Sequence, residues 1–225
     1  MSFFSAALHI FIKDLKVELR SKEILSSTAL FAVLVVLLSA FGFGLNTLPS
    51  QTVSAGVLWI AVAFSGILAV SRTYLREREM NVFRALLLSP APRAAVYVGK
   101  MLGLAVFLLF VVLVLVPITE LFFHAPLLSN LPSLLPIILL AVIGYAALGA
   151  LFGAMTIRTR LRDILLGVIL YPLLAPLLIA AVKATETVLM GDGLGAARDY
   201  LELSAVIDVI YLVGGLWLFG PLMDD

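Results

Sequence analysis

Residues 76–90 read REREMNVFRALLLSP, a charged run followed by three leucines and a proline, set between two stretches apolar enough to cross a bilayer, 53–71 and 95–118. Extended back to Arg72, the segment reads as a helix leaving the membrane. Leu75, Val82, Phe83, Leu86 and Leu87 cluster on one face, whereas Arg76, Glu77, Asn81 and Arg84 point mostly away from it, toward water. Ser89-Pro90-Ala91-Pro92 then ends the helix, because proline lacks a backbone donor and disfavours helical geometry in the residue before it. A stiff charged bar bounded by a hard turn suits the transmission of a rigid-body push. It also suits a solvated loop that merely obeys the positive-inside rule.

Working outward, 63% of the 225 residues are hydrophobic and 13% charged, and the mean hydropathy is +1.17. That is more apolar surface than a soluble core of this size can hide. On a ruler of about 20 apolar residues per crossing, six spans fall at 24–48, 53–71, 95–118, 134–157, 164–182 and 203–222. Lipid offers the backbone no hydrogen bonds, so the spans must be helices. The expectation is an all-α integral membrane protein forming a single domain over 1–225, with 72–94 as a cytoplasmic segment. Cysteine is absent, which excludes disulfides, thiol nucleophiles and thiolate metal sites.

Lysine and arginine set the orientation. All but two of the fifteen basic residues fall in the N-terminal segment, in the second connection with the start of the third span, or at Arg158, Arg160 and Arg162. The two exceptions are Lys183 and Arg198. Both termini are therefore expected in the cytoplasm, in agreement with an even number of spans. No cleavable signal is expected at the N-terminus, where charges from Lys13 to Glu23 precede a long apolar run. Within 1–23, Phe4, Leu8, Phe11, Ile12, Leu15 and Leu19 recur at helical spacing, away from Lys13, Lys16 and Arg20. This reads as an amphipathic helix lying along the cytoplasmic leaflet, whether as a simple anchor or with a further role.

The chain as a whole resembles one family. KDLKVELRSKE before the first span, LREREMNVFRALLLSPAPRAAVYVGK after the second, GALFGAM in the fourth and LYPLLAPLLIAAV in the fifth resemble, in that order, the CcmB or haem exporter protein B family. The resemblance implies a permease of the type-2 exporter kind in a bacterial inner membrane, serving the ATP-binding-cassette system for cytochrome c maturation. It implies a cytoplasmic ATPase subunit that carries ATP and Mg, other membrane proteins of that system, and a haem chaperone. It implies that Glu77, Glu79, Arg84, Ser89, Pro90 and Arg93, within a coupling segment that also holds Arg72, Arg76 and Arg78, face the ATPase. Haem enters as a transported or handled substrate; no directly bound cofactor and no nucleic-acid partner are expected.

The residues themselves carry no catalytic constellation. No phosphate-binding loop occurs, since Gly99-Lys100 lacks the upstream glycine and the following hydroxyl residue, so ATP hydrolysis belongs to a partner. Two histidines form neither a triad nor a metal spacing, and the chain is not expected to be an enzyme. His124, in an apolar outward loop, is either an ordinary interfacial histidine or an axial ligand for passing haem. Ionisable residues at membrane depth are functional candidates: Asp208 first, then Glu120, Lys183 and Glu186. An ion pair between Asp208 and Lys183 is the structural expectation. Gly99 with Gly103, and Gly149 with Gly153, allow close helix approach within the subunit or across a homodimer. Pro172 and Pro176 should kink or break the fifth span. A stand-alone secondary transporter or channel would need buried ionisable relays, which are sparse. A passive scaffold would not need a proline-bounded cytoplasmic bar.

Overall fold

The computed structural model describes residues 2–42, 49–79, 91–156 and 165–224. It is helical, with no strand among the described residues. The helices are α1 (Phe3–Ser21), α2 (Glu23–Gly42), α3 (Ser50–Glu79), α4 (Arg93–Phe123), α5 (Leu131–Met155), α6 (Tyr171–Leu189), the short α7 (Gly193–Ala196) and α8 (Arg198–Asp224); a π-helical turn, Leu165–Leu170, leads into α6. Six of them are long and apolar enough to cross a membrane: α2, α3, α4, α5, α6 with the end of its π turn, and α8. The six expected spans are all present. Both α3 and α4 run to about 45 Å at 1.5 Å per residue, longer than a hydrocarbon core of about 30 Å, so their ends stand clear of it. Pro117, inside α4, does not stop that helix short of Phe123.

The turn between α1 and α2 is sharp. Lys22 takes a left-handed conformation (φ 54°) and its N–H bonds the Glu18 carbonyl at 2.6 Å, closing α1. The Glu18 carboxylate accepts the Leu25 N–H at 2.7 Å, satisfying one of the orphan donors at the start of α2. The expected proline break takes one form only: the π-helical turn gives way to α geometry between Leu170 and Tyr171, just before Pro172, whereas Pro176 lies inside α6, which runs on to Leu189.

The core is built around α4 and α5. α4 packs against α1, α2, α3, α5 and α8, while α5 also holds α8 and α6. Buried tyrosines pin these contacts. Tyr74 of α3 donates to the Ala150 carbonyl at 2.9 Å, Tyr145 of α5 to the Ala63 carbonyl at 2.7 Å, and Tyr97 of α4 to the Ala147 carbonyl at 3.0 Å. Each hydroxyl satisfies its own polar group inside an apolar interior, where an unpaired one is costly.

Small residues make the close approaches possible. A methyl group on Gly153 would overlap the Tyr74 ring, and one on Gly149 would come within 2.9 Å of Val70. Gly99 lies against Ala7 and Ile10 of α1, and Gly103 faces Asp14. Both glycine pairs are thus used inside the subunit, the first between α4 and α1 and the second between α5 and α3. Of the two packing roles open to them, the internal one is taken.

Candidate coupling site

At the basic end of the bundle, α1, the end of α3 and the start of α4 meet in a cluster of charges. Lys100 lies two turns into α4 and is 2% exposed. Its ammonium donates to Asp14 Oδ2 of α1 at 2.7 Å and to Glu77 Oε1 of α3. Lys13 pairs with Asp14 at 2.7 Å and reaches Glu77 Oε1 at 3.4 Å. One turn away, Arg76 pairs with Glu18 at 3.7 Å and donates to the Ser21 hydroxyl at 3.0 Å.

Local sequence explains why these side chains converge. Asp14 lies four residues beyond Ile10 and seven beyond Ala7, so it continues the face that α1 buries against α4. Gly99 and Gly103 flank Lys100 on α4 and let α1 approach closely enough for Asp14 to reach the ammonium. Glu77 shares a face with the buried Val70 and Tyr74. Electrostatics then favour the charged form of Lys13. Burial alone would lower the pKa of the Lys13 ammonium, but the charges and hydrogen bonds of Asp14 and Glu77 outweigh it and raise the pKa.

The cluster corrects one expectation. Glu77 does not point to water; it is 7% exposed and bound from two sides. The helical-wheel reading ranked it against the leucines that follow, whereas its true neighbours are Val70 and Tyr74 behind it. Arg76 is likewise drawn inward, half-buried against α1. Arg72 is exposed, and Arg93 opens α4 with its Cβ 4.0 Å from the Cβ position of Gly220 near the end of α8. Arg78 and Glu79 end α3, but their side chains, and all of Arg84, Ser89 and Pro90, lie outside the described residues, as do Arg158, Arg160 and Arg162. Sequence reasoning missed Asp14 and Lys100 as site residues. The available signal was Lys100 itself, a cation inside an otherwise apolar helix, which demands a carboxylate partner.

At the opposite end the expected pair of Asp208 with Lys183 does not form. Lys183 pairs along its own helix with Glu186 at 2.9 Å, and Glu186 also accepts the Thr52 hydroxyl at 2.8 Å. Residues three apart on a helix are neighbours, so Lys183 has a nearer carboxylate on the exposed side of α6. Asp208 turns the other way, against Gly144 of α5 and Leu177 of α6. It is 4% exposed, and neither carboxyl oxygen has a hydrogen-bond partner among the described residues. Glu120 accepts the Leu128 N–H at 2.5 Å and so braces the loop after α4. His124 caps α4 in a left-handed conformation with its side chain exposed. No group of three or more histidine, cysteine or acidic residues gathers for a metal among the described residues.

Comparison with known proteins decides the family. The family model described as CcmB protein matches residues 5–213, nearly the whole chain. The chain belongs to the CcmB family. No curated protein matches it in a sequence search. The match spans α1 through most of α8 and takes in every residue of the charge cluster. Membership in the CcmB family, with six apolar helices, makes the chain a multi-pass membrane component of haem transport in cytochrome c maturation.

Proposed function

We propose that the chain is the permease subunit of an ATP-binding-cassette exporter and that the Asp14–Lys100–Glu77–Lys13 cluster is its force-transmitting joint. The observation that carries this reading is the position of the cluster. It ties α1 and α4 to the final turns of α3, directly before residues 80–90, the segment expected to meet a separate ATPase. A push on that segment is delivered to Glu77 and passes through Lys100 into α4, the helix that touches five others. In this reading the basic end and both termini face the cytoplasm of a bacterial inner membrane. α1 lies at the leaflet surface with Phe4, Leu8, Ile12 and Leu19, all exposed in the isolated chain, turned to lipid. ATP and Mg sit on the partner. The work done is export of haem or release of a haem-loaded chaperone by neighbouring membrane subunits.

Binding and transmission separate experimentally. Charge reversal at Glu79 or Arg84 should abolish co-purification with the ATPase subunit. Lys100→Met should keep that complex and its ATP hydrolysis while cells lose covalent haem on c-type cytochromes. Loss of the complex in the Lys100 variant, or normal haem attachment, contradicts the reading.

Asp208 supports a second reading, a stand-alone secondary transporter, because a buried carboxyl with no hydrogen-bond partner among the described residues is what a coupling-ion site needs. Solute flux by the purified chain without the ATPase would select it.

A further inference from the structure

Asp208 lies about 15 Å along α8, inside the segment that crosses the membrane. Its carboxyl rests in the notch that Gly144 leaves on α5, where an added methyl group would overlap Oδ1 and crowd Leu177 of α6. Neither oxygen is open to water, and neither has a hydrogen-bond partner among the described residues. α8 packs on α4, α5, α6 and α7. Of these, α5 and α7 contain no acidic or basic residue. In α6, Lys183 pairs with Glu186, and Tyr171 sets its ring on Phe64 of α3. In α4, Lys100 is held by Asp14 and Glu77, Glu120 takes the Leu128 N–H, and Arg93 lies beside Gly220, about 18 Å farther along α8. On α8 itself Glu202 pairs with Arg198. The tyrosine hydroxyls are used elsewhere: Tyr211 donates to the Leu173 carbonyl, Tyr145 to that of Ala63 and Tyr97 to that of Ala147.

A carboxylate ion with no water, donor or cation beside it is not sustained in an apolar interior; the group takes up a proton instead. The tight notch is therefore the geometry of the neutral acid. To ionise, the carboxyl needs water or a donor, and the α5 backbone at Gly144 leaves room for neither until α8 backs away. On its far side α8 exposes Val206, Val209, Ile210 and Val213, the side a bilayer covers, so lipid alone resists that movement. We propose that Asp208 is a proton-binding site that seats α8 on α5 when occupied and frees it when the proton leaves. A proton needs no space, whereas a metal ion with its oxygen ligands would not fit where a methyl group overlaps. One carboxyl without a relay of others does not conduct protons across the bundle. It takes a proton up and returns it, which makes the seating of α8 sensitive to pH. The switch is independent of whether an ATPase drives the chain, and its tests use the purified chain alone.

Thermal unfolding of the full chain in detergent is compared with that of Asp208→Asn, which is neutral at every pH. The unfolded chain has released this proton above about pH 4, while the packed chain retains it. Stability therefore falls as pH rises, and the wild type should lose about 3–5 °C in Tm per pH unit relative to the variant while one proton separates the two states. Should Asp208→Asn fail to fold, Asp208→Ala gives the same comparison. The movement of α8 has its own readout. Ser204 is buried one turn before Asp208 on the same face, and Ser204→Cys places a thiol there in a chain that has no other. Relative to the Asp208→Asn background, which cancels the ordinary rise in thiolate, its labelling by a maleimide should accelerate about tenfold per pH unit, one proton leaving with each opening. Parallel Tm profiles, or labelling with the same pH dependence in both backgrounds, would overturn the proposal.

Discussion

Replacing Lys100 with methionine keeps an unbranched apolar stem out to the Cε position and deletes the ammonium with its charge. In the wild-type protein the Lys100 side chain is 1% exposed, and its ammonium is shared between Asp14 and Glu77. Removing it leaves Glu77 inside with only Lys13, 3.4 Å away, to oppose its charge. Breaking a buried pair from one side costs about 3–5 kcal/mol, because the remaining ion keeps its desolvation penalty without its partner. Asp14 retains Lys13 at 2.7 Å and some water, which places the expected loss toward the lower end of that range. For a chain of this size 1 kcal/mol corresponds to about 2–4 °C in Tm, so Lys100→Met should melt roughly 6–15 °C lower in detergent. The double variant Lys100→Met with Glu77→Leu removes both charges. It should recover most of the loss, since apolar replacement of a whole buried pair is close to neutral. A single variant within about 1 kcal/mol of wild type, or a double variant as unstable as the sum of the singles, would refute the assignment of a coupled buried pair.

Gly153→Val should lower stability by about 1–3 kcal/mol through overlap with the Tyr74 ring, and Tyr74→Phe by about 1 kcal/mol through the lost bond to Ala150; both can be read from thermal unfolding. Asp208→Ala should raise stability by about 1–3 kcal/mol in the same assay, because it removes two buried oxygens that have no hydrogen-bond partners among the described residues. Alkaline pH should act partly through Lys13. Its folded pKa lies above the ordinary value of 10.5, so its contribution is full below that value and is lost as pH rises through the folded pKa; Lys13→Met should flatten that part of a Tm-against-pH profile.

The six spans were legible because hydropathy over twenty residues is a strong signal that lipid enforces without exception. Their ends were less so. The third span, expected to end at 118, runs on past Pro117 to Phe123, and the fourth, expected from 134, already begins at Leu131 with Pro136 inside it. The glycine pairs announced close approach without saying to what, since that depends on which tyrosine or alanine the topology brings opposite. Charge partnerships were least legible of all. Asp14, Glu77 and Lys100 are distant in sequence, and only the packing of α1 and α3 together on α4 makes them neighbours. Conversely, Asp208 and Lys183 looked paired because both lie near one end of the bundle, yet their helices present them on different faces.

A nucleotide motor can act on the charge cluster only if the end of the bundle that bears it faces the cytoplasm. Cysteine is absent from the chain, so single cysteines placed at Lys16 and at His124, exposed residues at opposite ends, can be tested with a membrane-impermeant maleimide. Intact cells should label the His124→Cys variant and spare Lys16→Cys, and inverted membrane vesicles should reverse the pattern. Labelling of Lys16→Cys from outside intact cells would place the charge cluster on the wrong side of the membrane for a cytoplasmic motor to reach.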